Sequence, residues 1–139
     1  MERTAVNPWD WSVQFGYNQG EIVSGPTRTL YCSGQTAMNG DGEPHHVGDM
    51  AAQLALSLDN LEAILGEANM TLANLVRLNV YTTDVDLLFQ HYGVLMARLG
   101  AAQVAPTTSM LGVTRLAIPV LMVELEGTAV ASLDPAVSE

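Results

Sequence analysis

Residues 48–70 read GDMAAQLALSLDNLEAILGEANM, and VRLNVYTTD follows at 76–84. Met50, Leu54, Leu58, Leu61, Leu65 and Ala68 recur every three or four positions, the spacing of one apolar helix face. Asp49 stands where a carboxylate can accept the free amides of a first helical turn, and Asn69 tolerates the left-handed backbone that ends a helix. The period then changes, because 77–83 (RLNVYTT) alternates as a half-buried strand does. A one-faced helix running into an alternating strand points to an α+β fold.

Toward the N-terminus, WSVQFGY (11–17) and RTLYCSG (28–34) alternate with aromatic and β-branched residues and read as strands. Gly25-Pro26 marks a turn between them, and NGDGEP (39–44) a loop. Toward the C-terminus, Asp84 caps a second expected helix over 85–99. Its apolar stripe is Val85, Leu88, Phe89, Tyr92, Leu95, Met96 and Leu99, and Gly100 is expected to stop it. Strands are expected at 108–115 and 120–131. The pattern predicts one domain over 1–139 (core about 11–131, tail 132–139), a mixed β-sheet backed by two helices. Val120-Leu121-Met122-Val123 is apolar at every position, which suggests helices over one side of the last strand and another subunit over the other.

Hydrophobic residues make up 48% of the chain and charged residues only 14%, a balance that excludes disorder. The apolar runs are too short to span a bilayer, so no membrane partner is expected. MERTAVNPWDW lacks a signal-peptide pattern, and a cytoplasmic location is the expectation. Net charge is −10, and the basic residues are five scattered arginines, which argues against a nucleic-acid partner. With no lysine, Schiff-base catalysis and a phosphate-binding loop lysine are both excluded. The single cysteine, Cys32, lies in the apolar run TLYCSG and reads as a buried, inert thiol.

Few groups could carry chemistry. Glu124 and Glu126 sit two apart in the last strand, so they share a sheet face at roughly 7 Å separation. Two carboxylates in a low-dielectric setting cannot both ionise cheaply, which would raise one pKa toward acid–base use. The plainer alternative pairs one or both with an arginine, Arg115 being nearest across an expected hairpin. His45 and His46 have no third ligand at a suitable spacing, so no metal is expected, and His91 falls beside the second helix's stripe. Ser33-Gly34 ends a strand at a turn, and Tyr17 lies at another strand end; both are also ordinary features of a core or rim.

Taken in order, YNQG (17–20), CSGQTAMNGDGE (32–43), the helix above, VRLNVYTTD (76–84) and GVTRL…VELEGTAV (112–130) resemble the reactive-intermediate deaminase family, the RidA or YjgF-type proteins. The resemblance spans about residues 15–131. It implies a chorismate-mutase-like fold, a homotrimer with an inner barrel, and ligand clefts between subunits. It also implies hydrolysis of reactive imines and enamines without a cofactor. By the same resemblance Glu124 positions the attacking water, Tyr17 is the site tyrosine, and Ser33 with Gly34 form the strand-end ligand contact.

At 106–116, PTTSMLGVTRL, the sequence departs from that pattern. The family's P-A-R-S arginine, which clamps a substrate carboxylate, aligns with Thr108. An asparagine aligns with Tyr92, and a small or thiol residue with Met110. Arg115, seven residues beyond Thr108, would project from the opposite face of a regular strand and is no substitute. The sequence therefore predicts a divergent hydrolase for a small imine or enamine that depends less on a carboxylate. The alternatives are a non-catalytic trimer that binds a metabolite, and an endoribonuclease or translation-inhibitor activity.

Overall fold

The computed structural model describes residues 1–133. Strands β1 (Glu2–Val6), β2 (Gly20–Ser24), β3 (Thr27–Tyr31), β4 (Leu75–Thr82), β5 (Thr107–Gly112) and β6 (Val123–Ser132) combine with helices α1 (Met50–Glu67), α2 (Val85–Gln90) and α3 (Gly93–Ala101). The main sheet has the order β3-β6-β4-β5. β6 runs antiparallel to both neighbours, and β5 lies parallel to β4. It is a mixed sheet with the helices packed on one face, the α+β architecture expected.

Helix α1 follows its sequence closely. The Asp49 side chain accepts the Ala52 amide at 3.0 Å, and Asn69 adopts φ +57° just past the helix end. Met50, Leu54, Leu58, Leu61 and Leu65 are all buried against the sheet, each side chain contributing roughly 1.5–3 kcal/mol of transfer free energy. Two polar residues of α1 serve as staples. Buried Gln53 donates to the carbonyls of His46 and Val120 and accepts from the Met122 amide. Asn60 donates to the carbonyls of Thr36 and Met38, which holds the loop after Ser33 and Gly34.

Several expectations need correction. Residues 11–17 are not a strand: they form turns and a short 3-10 helix (Val13–Phe15) between β1 and β2, which pair with each other instead. Pro8 supplies no amide for a ladder, and Gly16 sits at φ +84°. Arg3 in β1, ahead of the expected core, ion-pairs with Glu21 and donates to the carbonyls of Ala73 and Leu75, tying this hairpin to the rest.

The second helix breaks into α2 and α3 around His91-Tyr92, next to Gly93, a poor residue for a helix interior. Gly100 lies inside α3, and Gln103 at φ +54° ends it. β5 stops at Gly112, where a Cβ would stand 3.1 Å from Val85 of α2, so Arg115 lies in a loop and not on the strand. β5 pairs with β4 and not with β6, so the expected hairpin is absent.

Lastly, Val120, Leu121 and Met122 precede β6. Within β6, Val123, Leu125 and Ala129 are fully buried toward the helices, and Glu124, Glu126 and Thr128 face the other way. The strand has one apolar face, not two. Ser132 belongs to β6, Leu133 bonds back to Pro26, and the rest of the expected tail lies outside the described residues. Cys32 is buried, and burial pushes its thiol pKa up, consistent with an inert thiol. Among the described residues no helix is long and apolar enough to cross a membrane.

Gly127 of β6 faces α1, and a Cβ there would come within 2.9 Å of Leu75 and 3.4 Å of Leu61. Gly127→Val should therefore overpack this seam and lower unfolding free energy by about 1–3 kcal/mol, measured by urea denaturation.

Candidate functional site

The candidate residues fall into two groups. Thr108 and Met110 project from edge strand β5, Tyr92 and Phe89 come from the α2–α3 junction, and Phe15 and Tyr17 flank Gly16. Together these six line a cavity of about 500 Å³. Gly16 makes the arrangement possible, since any Cβ there would collide with the Met96 sulfur. The break between α2 and α3 places Tyr92 6.0 Å from Phe89, ring centre to ring centre, and Trp11 packs edge-on against Tyr17 at 6.1 Å. Among the described residues no charged side chain lines the cavity. Thr108 donates its hydroxyl to the Pro106 carbonyl at 2.8 Å, and Thr107 donates to Val76 at 2.6 Å. Burial, followed by the nearby Tyr17 hydroxyl, raises the Tyr92 pKa, so this phenol stays protonated.

The second group surrounds Glu124. Gly34 lies so close that a methyl group on it would overlap the Glu124 carboxylate, and Ser33 precedes it on the exposed rim. Glu126 accepts from the Asn79 amide and the Tyr81 hydroxyl, both at 2.9 Å. Those two bonds hold the Glu126 pKa below the usual carboxylate range. Partial burial, with the Glu126 charge adding to it, pushes the Glu124 pKa up. One carboxylate is thus held as the anion while its neighbour is primed to take a proton. The arginine alternative does not hold: Glu126 pairs with Asn79 and Tyr81, and Arg115 donates to the Leu116 and Ala117 carbonyls.

The two groups lie on opposite faces of the sheet. Thr108 and Met110 sit beside Leu78 and Val80, whose side chains are buried under the helices. Glu124 and Glu126 sit beside Tyr81 and Asn79, which point away from the helices. Side chains alternate along each strand, so Glu124 cannot reach the cavity within the same chain. Sequence reasoning missed Asn79 and Tyr81, although N-V-Y in an alternating strand already places both on one face. It also passed over Phe15, because that segment was read as a strand.

A family model described as Endoribonuclease L-PSP matches residues 12–131. The chain belongs to this RidA/YjgF-type family. Among solved structures, the Rid-family protein YyfB of Yersinia pestis superposes with a TM-score of 0.81 at 34% identity, covering 93% of this chain and 98% of its own. The RutC family protein YjgH of Escherichia coli is 28% identical over 84% of this chain and 88% of its own length. The mitochondrial protein mmf2 of Schizosaccharomyces pombe is 32% identical over 87 residues, which is 62% of this chain and 64% of mmf2. The RidA/YjgF-type fold expected from the sequence is thereby established for this chain.

The glutamate pair gives opposite pH signatures. Glu124 has a raised folded pKa, so the folded state holds its proton longer, and stability falls as pH climbs from the unfolded value through the raised one. Glu126 has a lowered folded pKa, so its contribution is present above the unfolded value and lost as pH falls through the lowered one. Glu124→Gln should raise the melting temperature at roughly pH 8 with no gain near pH 4, whereas Glu126→Gln should lower it at roughly pH 8. Thermal melts across that range check both.

Proposed function

We propose that this protein is a RidA-like, cofactor-independent hydrolase of small reactive imines or enamines, less dependent on a substrate carboxylate than its relatives. It works as a homotrimer in which each cleft joins the Glu124 face of one protomer to the aromatic cavity of the next. The observation that carries this reading is the placement of Glu124 and Thr108 on opposite sheet faces. Residues so divided can serve one site only if two copies of the chain build it.

In that cleft Glu124, made more basic by partial burial, takes a proton from water as the oxygen attacks the imine carbon. The protonated carboxyl returns that proton to nitrogen, giving a carbinolamine. Glu124 then takes the hydroxyl proton and passes it to nitrogen as the C–N bond breaks, so the C–O bond becomes C=O and ammonia leaves. Gly34 leaves room for the carboxylate, Tyr17 orients the substrate, and Ser33, Tyr92, Thr108 and Met110 complete the contacts. A cytoplasmic location belongs to the same reading, although the fission-yeast relative is named a mitochondrial protein.

A second reading, a trimer that binds a metabolite without turnover, draws on the Thr108 hydroxyl, whose proton is already committed to Pro106. RNA cleavage is disfavoured because every arginine is engaged within the chain. Arg3 and Arg98 pair with acids, and Arg28, Arg77 and Arg115 donate to carbonyls or to Ser109.

Subunit complementation tests the proposal. Glu124→Gln and Tyr17→Ala should each be inactive yet trimeric, and co-refolding them in equal amounts should restore about a quarter of the wild-type sites. Hydrolysis surviving in Glu124→Gln would remove the water-positioning role. A wild-type trimer that hydrolyses no imine would leave the binding reading.

A further inference from the structure

We infer that the aromatic cavity takes an arylalkyl imine that has no carboxylate, the kind of compound formed when a primary arylalkylamine is oxidised. The ligand class rests on the cavity itself, and its turnover rests on the hydrolase proposed above. Phe15, Tyr17, Phe89 and Tyr92 offer four rings, with Met110 as a flexible fifth wall. Rings of this kind pack a further ring edge-on or offset. At about 500 Å³ the space is far larger than a two- or three-carbon imine needs, and falls within the range that holds drug-sized ligands.

Charge decides against an acid. Among the described residues no cation lines the cavity, and a carboxylate placed there would give up its water with no opposite charge to pair with it. The polar groups that remain are neutral hydroxyls from Tyr17, Tyr92 and Thr108, and a phenol O–H suits the lone pair of a neutral imine nitrogen. One cation needs separate account. Arg115 lines the Glu124 concavity, on the opposite side of the proposed cleft, but there it donates to two backbone carbonyls and lies beside Glu124 and Glu126.

The chemistry also places the protein in a reaction sequence. A primary amine R-CH2-NH2 loses two electrons and two protons to the acceptor of an amine-oxidising enzyme and becomes R-CH=NH. Water then adds, and the products are the aldehyde R-CHO and ammonia. The class of reaction that must supply this protein is therefore amine oxidation, and an aldehyde-consuming step must follow.

Stable oximes mimic the planar imine, and three of them test the inference by calorimetry on the intact oligomer. Phenylacetaldehyde oxime should bind at least about tenfold more tightly than phenylpyruvate oxime, which differs only by a carboxylate, and more tightly than acetaldehyde oxime, which lacks the ring. Phe89→Ala, at a side chain 59% exposed and so tolerant of truncation, should weaken the first and leave the last unchanged. Equal or tighter binding of phenylpyruvate oxime would overturn the inference, and its loss in Arg115→Ala would identify Arg115 as the clamp. Equal binding of acetaldehyde oxime, or no binding of any oxime, would overturn it as well. Ammonia release from the oxidation product of 2-phenylethylamine is the separate readout. Binding without release would defeat the hydrolase and keep the ligand class, and release only from small carboxylated imines would do the reverse.

Discussion

The two-residue period of β6 is the constraint on which the rest depends. This strand lies between β3 and β4, and its odd positions from Val123 to Ala129 fill the space under α1. Slipping the register by one residue would drive Glu124 and Glu126 into that core, a cost no small domain could absorb. Burial therefore fixes the glutamates on the side away from the helices. Through β4, the same register fixes Thr108 and Met110 on the helix side. The division of the candidate site is a consequence of packing the core, settled before any ligand is considered.

Legibility in the sequence followed how locally each feature is determined. Helix α1 was readable to its caps, because Asp49, each step of the leucine stripe and Asn69 are each decided by residues within about a turn of their own position. The Glu124–Glu126 pair was readable for the same reason: strand alternation needs no knowledge of the neighbours. WSVQFGY misled because alternation on an exposed linker looks the same as alternation on a sheet, and only the pairing of β1 with β2 tells them apart. The apolar run at 120–123 misled because its residues divide between a loop staple and a strand start. Leu121 is buried with Ala37 and Leu116 in a small second cluster, not across the sheet.

The site was legible residue by residue, through resemblance, but its assembly was not. Nothing in PTTSMLGVTRL says that β5 is an edge strand parallel to β4, and without that order the face occupied by Thr108 is undefined. The partners of Glu126 were hidden for a similar reason. Asn79 and Tyr81 lie 47 and 45 residues away along the chain, and only the antiparallel register brings them opposite the glutamates.

The chain's chemical inertness has a consequence of its own. Cys32 is buried with a pKa pushed upward, and the sequence holds no lysine. Carbonyl compounds and conjugated imines damage proteins chiefly by condensing with ε-amines or adding to thiolates, and this molecule presents neither. Adduct formation by those two routes would therefore be slow in a medium rich in such electrophiles. A protein that handles short-lived electrophiles would thereby offer its substrates and products fewer nucleophiles to attack.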